Sequence, residues 1–179
     1  MKLREISFVL CLALSACTGK SINVTPISGF ETDRYLGTWY EVARLDHSFE
    51  RGLTNVTATY SMRDDGMIRV QNRGYDAEKA AYKTAQGKAK FAQDKKTGHL
   101  KVSFFGPFYG DYIIFDLDET YSTASISGGK DSYLWLLSRT PKVSDVQRRE
   151  FIAQSKALGY AADNLIWVSQ ERAQTPWAK

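Results

Sequence analysis

An indole and a guanidinium far apart in the chain are the first chemically pointed pair. Trp39 lies in Gly37-Thr38-Trp39-Tyr40-Glu41-Val42-Ala43-Arg44-Leu45-Asp46-His47, and Arg139 lies in Tyr133-Leu134-Trp135-Leu136-Leu137-Ser138-Arg139-Thr140-Pro141. Both runs carry the aromatic and branched residues that favour a pleated, half-buried surface. If Trp39 faces inward, strand alternation takes Glu41, Ala43 and Leu45 with it, and it sets Tyr133, Trp135, Leu137 and Arg139 on one face. An indole opposite a guanidinium predicts a cation–π stack that closes one end of a barrel, worth roughly 2 kcal/mol when desolvated. Gly37 enters the first run at a sharp turn, where a side chain would crowd what packs beneath. Gly37, Trp39 and Arg139 are therefore the predicted closing residues. Glu41 shares the inward face, so either it pairs with Arg139 near the floor or a bulge turns it outward. The cost of an unpaired buried charge favours the pair.

Catalytic chemistry finds little support. The two histidines, His47 and His99, are far apart and lack metal-ligand spacing, and Ser138 beside Arg139 has no visible base. No metal and no cofactor is expected. The formal net charge of +4 is spread over scattered residues with short pairs such as Lys95-Lys96 and Arg148-Arg149. A nucleic-acid footprint would need a concentrated patch.

What the inward positions suit is an apolar guest. Val56, Ala58 and Tyr60, then Ile68, Val70 and Asn72, then Ala85, Gly87, Ala89 and Phe91, then Leu100, Val102 and Phe104 share one parity. With Tyr133, Trp135 and Leu137 they are the predicted lumen. The opposite parity gives Thr57, Thr59, Lys88, Lys90, Lys101 and Ser103, which suit water. An eight-stranded barrel is either filled by its own side chains or holds one small ligand. Small residues at Ala58, Ala85, Gly87 and Ala89 favour a cavity. About ten buried methylenes at roughly 0.8 kcal/mol each give about 8 kcal/mol before ordering losses, enough for micromolar affinity.

Eight strands must position these residues. Strand-like runs cover 37–46, 53–63, 67–75, 82–91, 99–105, 111–117, 121–127 and 133–139, separated by turn signals of which Asp64-Asp65-Gly66 is the clearest. Their even spacing predicts an all-β, eight-stranded antiparallel up-and-down barrel. The run from Asp111 is apolar on both faces, which a helix packed outside would explain. Ser144-Asp145-Val146-Gln147 reads as a capping box. It opens a helix to Leu158, with Gly159 as the stop; Val146, Ala153 and Ala157 fall together, with Phe151 and Leu158 beside them, so one side can pack on the barrel wall. Leu165-Ile166-Trp167-Val168 is a short ninth strand.

Gly-x-Trp-Tyr near the start, Gly110-Asp111-Tyr112 in the middle and Ser-Arg-Thr-Pro on the last barrel strand resemble the motifs of the lipocalin family. Asp46-His47, Ala58-Thr59-Tyr60-Ser61 and Phe104-Phe105-Gly106-Pro107-Phe108-Tyr109-Gly110 make the chain similar to the bacterial outer-membrane lipocalins. The middle motif departs from the Thr-Asp-Tyr of many members. The resemblance implies a lipocalin barrel with one C-terminal helix and fatty acids or lysophospholipids as ligands. It places the loops His47–Leu53 and Gly106–Gly110 at the open mouth, with Phe49, Phe105, Phe108 and Tyr109. These rings either pack back on the rim or touch lipid, a membrane or a second copy of the chain. A catalytic thiol, as one enzymatic lipocalin type uses, is missing.

The first residues read as targeting and not fold. Lys2 and Arg4 precede an apolar run, Ile6–Leu14, too short to span a bilayer. Leu14-Ser15-Ala16-Cys17 resembles a bacterial lipobox, which makes Cys17 the lipidation site; the alternative is an ordinary signal peptide cut elsewhere. Cys11 would leave with the leader, so no disulfide is expected. Thr18 stands where an inner-membrane retention signal is usually Asp, which implies the periplasmic side of the outer membrane. The expected layout is a leader over 1–16, a lipidated tether over 17–28, the barrel domain over 29–170 and a tail over 171–179. The expected function is lipid binding for storage, transport or membrane maintenance. The other reading is an envelope protein-interaction or structural module that uses the aromatic mouth, with a homodimer among its forms.

Overall fold

The computed structural model describes residues 19–171, so the leader, Cys17 and the chain from 172 onward lie outside the described residues. Eight antiparallel strands follow one another around a barrel: β1 (Gly37–Arg44), β2 (Leu53–Met62), β3 (Ile68–Asp76), β4 (Ala81–Phe91), β5 (His99–Ser103), β6 (Gly110–Leu117), β7 (Thr123–Ser127) and β8 (Leu134–Ser138). β8 pairs with β1 and β1 with β2, which closes the wall. A four-residue helix α1 (Thr32–Tyr35) precedes β1, while α2 (Asp145–Ala157) and β9 (Ile166–Trp167) follow β8.

β1 divides its pairing between two neighbours. Its first half, Gly37 to Tyr40, pairs with β2, whereas Ala43 and Arg44 pair with β9. The split coincides with a bulge between Glu41 and Ala43 on the β8 side. Such a bulge adds a residue and bends the strand away. The gap that opens between β1 and β2 is stitched by the chain after β9. Asn55 N–H donates to the Ser169 carbonyl at 2.8 Å, and Gln170 Nε2 donates to the carbonyls of Glu41 (2.8 Å) and Val56 (2.9 Å).

The bulge corrects the expected facing of β1. Trp39 lies in the lumen, but Ala43 and Leu45 belong to a second apolar cluster outside the wall with Leu134, Leu136 and Phe151 of α2. Strict alternation fails because the inserted residue reverses parity. β6 divides in the same way: Tyr112 and Ile114 face the lumen, and Ile113 and Phe115 face the outer cluster. α2 carries the expected capping box, with Gln147 N–H donating to Ser144 Oγ at 3.2 Å and Ser144 N–H to Gln147 Oε1 at 2.8 Å. Its buried face keeps Phe151 and Leu158 of the expected side but not Ala153 and Ala157. Phe151 and Ser155 are buried, with Leu158 completing the i, i+4, i+7 stripe, and Val146 is exposed.

The segment before α1 is not a free tether. Ile22 and Val24 are buried in the outer cluster, Ile22 N–H donates to Gly129 O at 3.0 Å, and Ile27 N–H donates to Ile114 O at 2.9 Å. Phe30 N–H reaches Lys96 O at 2.8 Å. This strap runs down the outside of the wall, from the β7–β8 loop to the opposite end.

That end is closed by Arg139. Its guanidinium lies 3.9 Å from the Trp39 ring. Nη2 donates to the carbonyls of Arg34 (2.8 Å), Tyr35 (3.1 Å) and Leu36 (2.8 Å), and Nη1 donates to Thr38 O at 3.0 Å. These carbonyls end α1 and enter β1, so one planar cation satisfies the orphan acceptors of a helix too short to cap itself. Gly37 has φ +94°, and a Cβ there would come within 3.3 Å of Arg139 Nη1. Gly37, Trp39 and Arg139 thus meet at this end. Asp118 holds the neighbouring β6–β7 turn, accepting the N–H groups of Ser122 (2.7 Å) and Thr123 (2.5 Å) and the hydroxyl of Thr120.

Replacing Arg139 by Met removes the stack and the hydrogen bonds to those four carbonyls, and about 3 kcal/mol of stability should be lost in urea unfolding. Burial pushes the Asp118 carboxyl up, but the Thr120 hydroxyl and the two amides outweigh it and hold the group at about 2. A depressed carboxyl stabilises above its unfolded range and loses that contribution as pH falls through the folded value. Asp118→Asn should therefore cost about 1 kcal/mol at neutral pH, discounted for partial exposure, and flatten the decline in stability between about pH 4 and pH 2.

Candidate functional site

The lumen is built in two parts. Toward the closed end it is solid. Ile68, Ala89, Leu100, Ile114 and Ile126 are almost wholly buried around Trp39, Tyr60, Val70, Ala58 and Leu137. Three phenols meet there, with Tyr112 Oη 2.6 Å from Tyr35 Oη and 2.8 Å from Tyr60 Oη. Burial pushes all three hydroxyls well up, so they stay neutral and partner one another. Phe91 packs against the same cluster, and Val56 is buried near the upper end of β2.

Toward the open end the lumen is accessible. Ala85 is opposite Asn72 in register, and Asn72 is opposite Ala58, so all three share the inward parity of Val70 and Ile68. Ala85 is nevertheless exposed, and Asn72, Val102, Phe104, Tyr112 and Trp135 are only half-buried. The wall is thin at this place. β4 pairs with β5 through Lys88–Phe91, whereas Ala81–Gly87 pair with β3. The small residues of β4 do not all leave room as expected. A Cβ on Gly87 would come within 2.7 Å of the Ser103 carbonyl oxygen and 2.9 Å of the Phe104 ring, so Gly87 makes space for the backbone of the next strand and for a phenyl group of its own chain.

The rim above β1 and β8 carries an aromatic plate over a buried charge network. Tyr133 and Trp135 stack nearly parallel with centroids 5.9 Å apart, and His47 stacks on Phe49 at 4.0 Å and lies 5.2 Å from Trp135. Trp135 Nε1–H donates to Glu50 Oε2 at 3.0 Å. His47 Nε2 is also 3.0 Å from that oxygen, at an angle poor for a hydrogen bond. The Arg44 guanidinium contacts Glu41 Oε1 at 2.6 Å and donates to the carbonyls of Glu50 (2.9 Å) and Leu53 (3.1 Å). Arg44 thereby ties the β1–β2 loop to the wall.

Glu41 does form an ion pair, but its partner is Arg44 and not Arg139. The bulge brings Arg44 back to the inner face, three residues along. Burial, then the neighbouring Glu50 charge, push the Glu41 carboxyl well up against the pull of Arg44. Glu50 is also pushed up by burial, but His47, the Trp135 N–H and Arg44 outweigh this and hold it below the usual range. Of the two carboxyls, Glu41 keeps its proton to the higher pH and Glu50 gives it up first. Sequence reasoning missed Arg44, Glu50 and Tyr112. The signal for the first two was the spacing Glu41, Arg44, His47, Glu50, an ionisable residue at every third position of a turning chain.

The barrel and its helix have counterparts among known proteins. A family model described as a lipocalin-like domain matches residues 30–170. The chain belongs to the lipocalin family. It is 54% identical over 171 residues to the outer membrane lipoprotein Blc of Vibrio cholerae, covering 94% of this chain and all of that one. It is 49% identical to the Escherichia coli K12 protein of the same name, covering 82% and 83%. This lipocalin is, like them, an outer-membrane lipoprotein. Insecticyanin from the tobacco hornworm superposes with a TM-score of 0.70 at 18% identity, covering 89% of this chain and 91% of its own. The cockroach allergen Per a 4 gives 0.67 at 19%, covering 86% and 97%. At such identities the likeness concerns the fold.

The two carboxyls of this lipocalin should respond differently to removal of charge. Glu41→Gln mimics the protonated acid and should cost less than about 1 kcal/mol. Glu50→Gln removes the charge that the Trp135 N–H, His47 and Arg44 hold in place and should cost about 3 kcal/mol. Urea unfolding at pH 7 of the two variants compares them directly, and equal losses would contradict the assignment.

Proposed function

We propose that this lipocalin binds the acyl chain of a fatty acid or lysophospholipid in the upper lumen, as a store or carrier of lipid in the cell envelope. The observation that carries the reading is Ala85: an inward-facing small residue in mid-barrel that is exposed, facing apolar walls that are only half-buried. An acyl tail replaces water there, beneath the Tyr133–Trp135 plate. The solid lower lumen makes the site shorter than a full-length tunnel. About six methylenes at roughly 0.8 kcal/mol each supply about 5 kcal/mol, which alone corresponds to sub-millimolar affinity. Tighter binding draws on the mouth aromatics, or on Phe104 turning off Gly87 to admit more chain. The names of the bacterial relatives place them in the outer membrane, where such ligands are at hand. Cys17 is the lipidation site in this reading, and the acyl chains on it are the anchor.

Titration with a fluorescent fatty acid, read by quenching of tryptophan emission, tests the site. Ala85→Trp should weaken binding at least tenfold with an unchanged far-UV spectrum and urea midpoint. Phe104→Ala should strengthen binding of long chains relative to short ones by about one methylene's worth or more, roughly 0.8 kcal/mol each. Unaltered affinity in both variants would reject the upper lumen as the site.

A further inference from the structure

The strap that precedes α1 begins at the open end, and this fixes which way the barrel faces. Lys20 N–H donates to Asp131 Oδ2 at 3.1 Å, Asp131 N–H donates to Lys20 O at 2.9 Å, and Ser21 bridges to Lys130. Residues 19–22 are thus bound to the β7–β8 loop. Only Thr18 separates Cys17 from the bound strap, and two residues of chain reach at most about 7 Å. Ile22 and Val24 are buried and hold the strap against the wall, which leaves almost no slack between the anchor and the rim.

The same rim carries exposed aromatic side chains. Phe105 is 82% exposed, Phe108 78% and Phe49 58%. Around the barrel the open-end loops are β1–β2, β3–β4, β5–β6 and β7–β8. The anchor loop therefore stands between the loop of Phe105 and Phe108 and the loop of Phe49. Lys20 and Lys130 are exposed on the anchor loop itself. Aromatic rings with nearby lysines suit the interfacial layer of a bilayer.

We propose that the open mouth of the barrel is seated on the membrane surface, with Phe105, Phe108 and Phe49 in the lipid interface and the Arg139 floor turned away from it. This rests on acylation of Cys17, proposed above. An acyl chain then passes between bilayer and upper lumen without crossing water. The mouth is a docking surface for lipid, with Phe105 and Phe108 projecting from it and Phe49 resting on His47.

The mature lipidated chain has no free thiol in this reading, so one introduced cysteine takes one spin label. Phe108→Cys and, at the opposite end, Asp64→Cys in the β2–β3 turn are labelled in the full acylated protein. The protein is reconstituted in vesicles of phosphatidylethanolamine and phosphatidylglycerol, and relaxation by oxygen is compared with relaxation by a water-soluble nickel chelate. Membrane seating predicts that vesicles raise the oxygen-to-nickel ratio severalfold at 108 and leave it unchanged at 64. Equal aqueous ratios at both positions, or a lipid-like ratio at 64, would overturn the orientation. A label at 108 shielded from both reagents would mean that a second protein copy covers the mouth, which also overturns it. Mass spectrometry of the same sample separates the two claims: an unmodified Cys17 removes the anchor and both proposals with it, whereas an acylated Cys17 with an aqueous label at 108 rejects the seating alone.

Discussion

The fold depends on a single cation with nowhere else to go. Arg139 is packed over Trp39 and surrounded by the carbonyls of Arg34, Tyr35, Leu36 and Thr38. The first three of those carbonyls end a helix of four residues that has no side-chain cap and cannot be stable alone. The guanidinium gives α1 its C-terminal partners, and α1 in turn lays Tyr35 beneath Trp39 with ring centroids 4.8 Å apart. Trp39 Nε1–H donates to Tyr35 O at 2.8 Å and completes the unit. A barrel closed by such a plug has one way in.

The opposite end is governed by a different constraint. The bulge in β1 opens the seam with β2, and the network of Arg44, Glu41 and Glu50 with Gln170 fills it. Buried charges at a rim are costly unless each is paired, and here the pairing also fixes Trp135 through its indole N–H. The mouth is therefore stiff on the β8–β1 side and loosely paired on the β4–β5 side. Exposure of Ala85 and the position of Phe104 follow from that asymmetry. A stiff aromatic plate facing a thin wall is an entrance for a flexible chain.

Most of the architecture was legible in the sequence because strand alternation, the Asp64-Asp65-Gly66 turn and the Ser144–Gln147 box are local signals. The Trp39–Arg139 stack was legible because both partners lie on strands whose inward parity is unambiguous at that end. Parity failed where two adjacent apolar residues, Val42 and Ala43, fit either register and hid the bulge. The ion pair of Glu41 was expected with the wrong arginine for the same reason. Tyr112 escaped because its strand is apolar on both faces, and the strap escaped because Ile22, Val24 and Ile27 were read through their polar neighbours. The α2 face was read only in part: Phe151 and Leu158 were placed on it, but Ser155 is buried and Val146 is not, a reversal of what their polarity suggests.

The account stands or falls on whether the barrel is solid below and open above. The most direct measurement is an experimental density map of the protein purified from its own membrane with its native lipid retained. It should show an acyl chain beside Ala85, bounded below by Phe104 and Ala89 and above by Trp135. Density confined to the outer surface, or an upper lumen filled by repacked side chains with no guest, would contradict it.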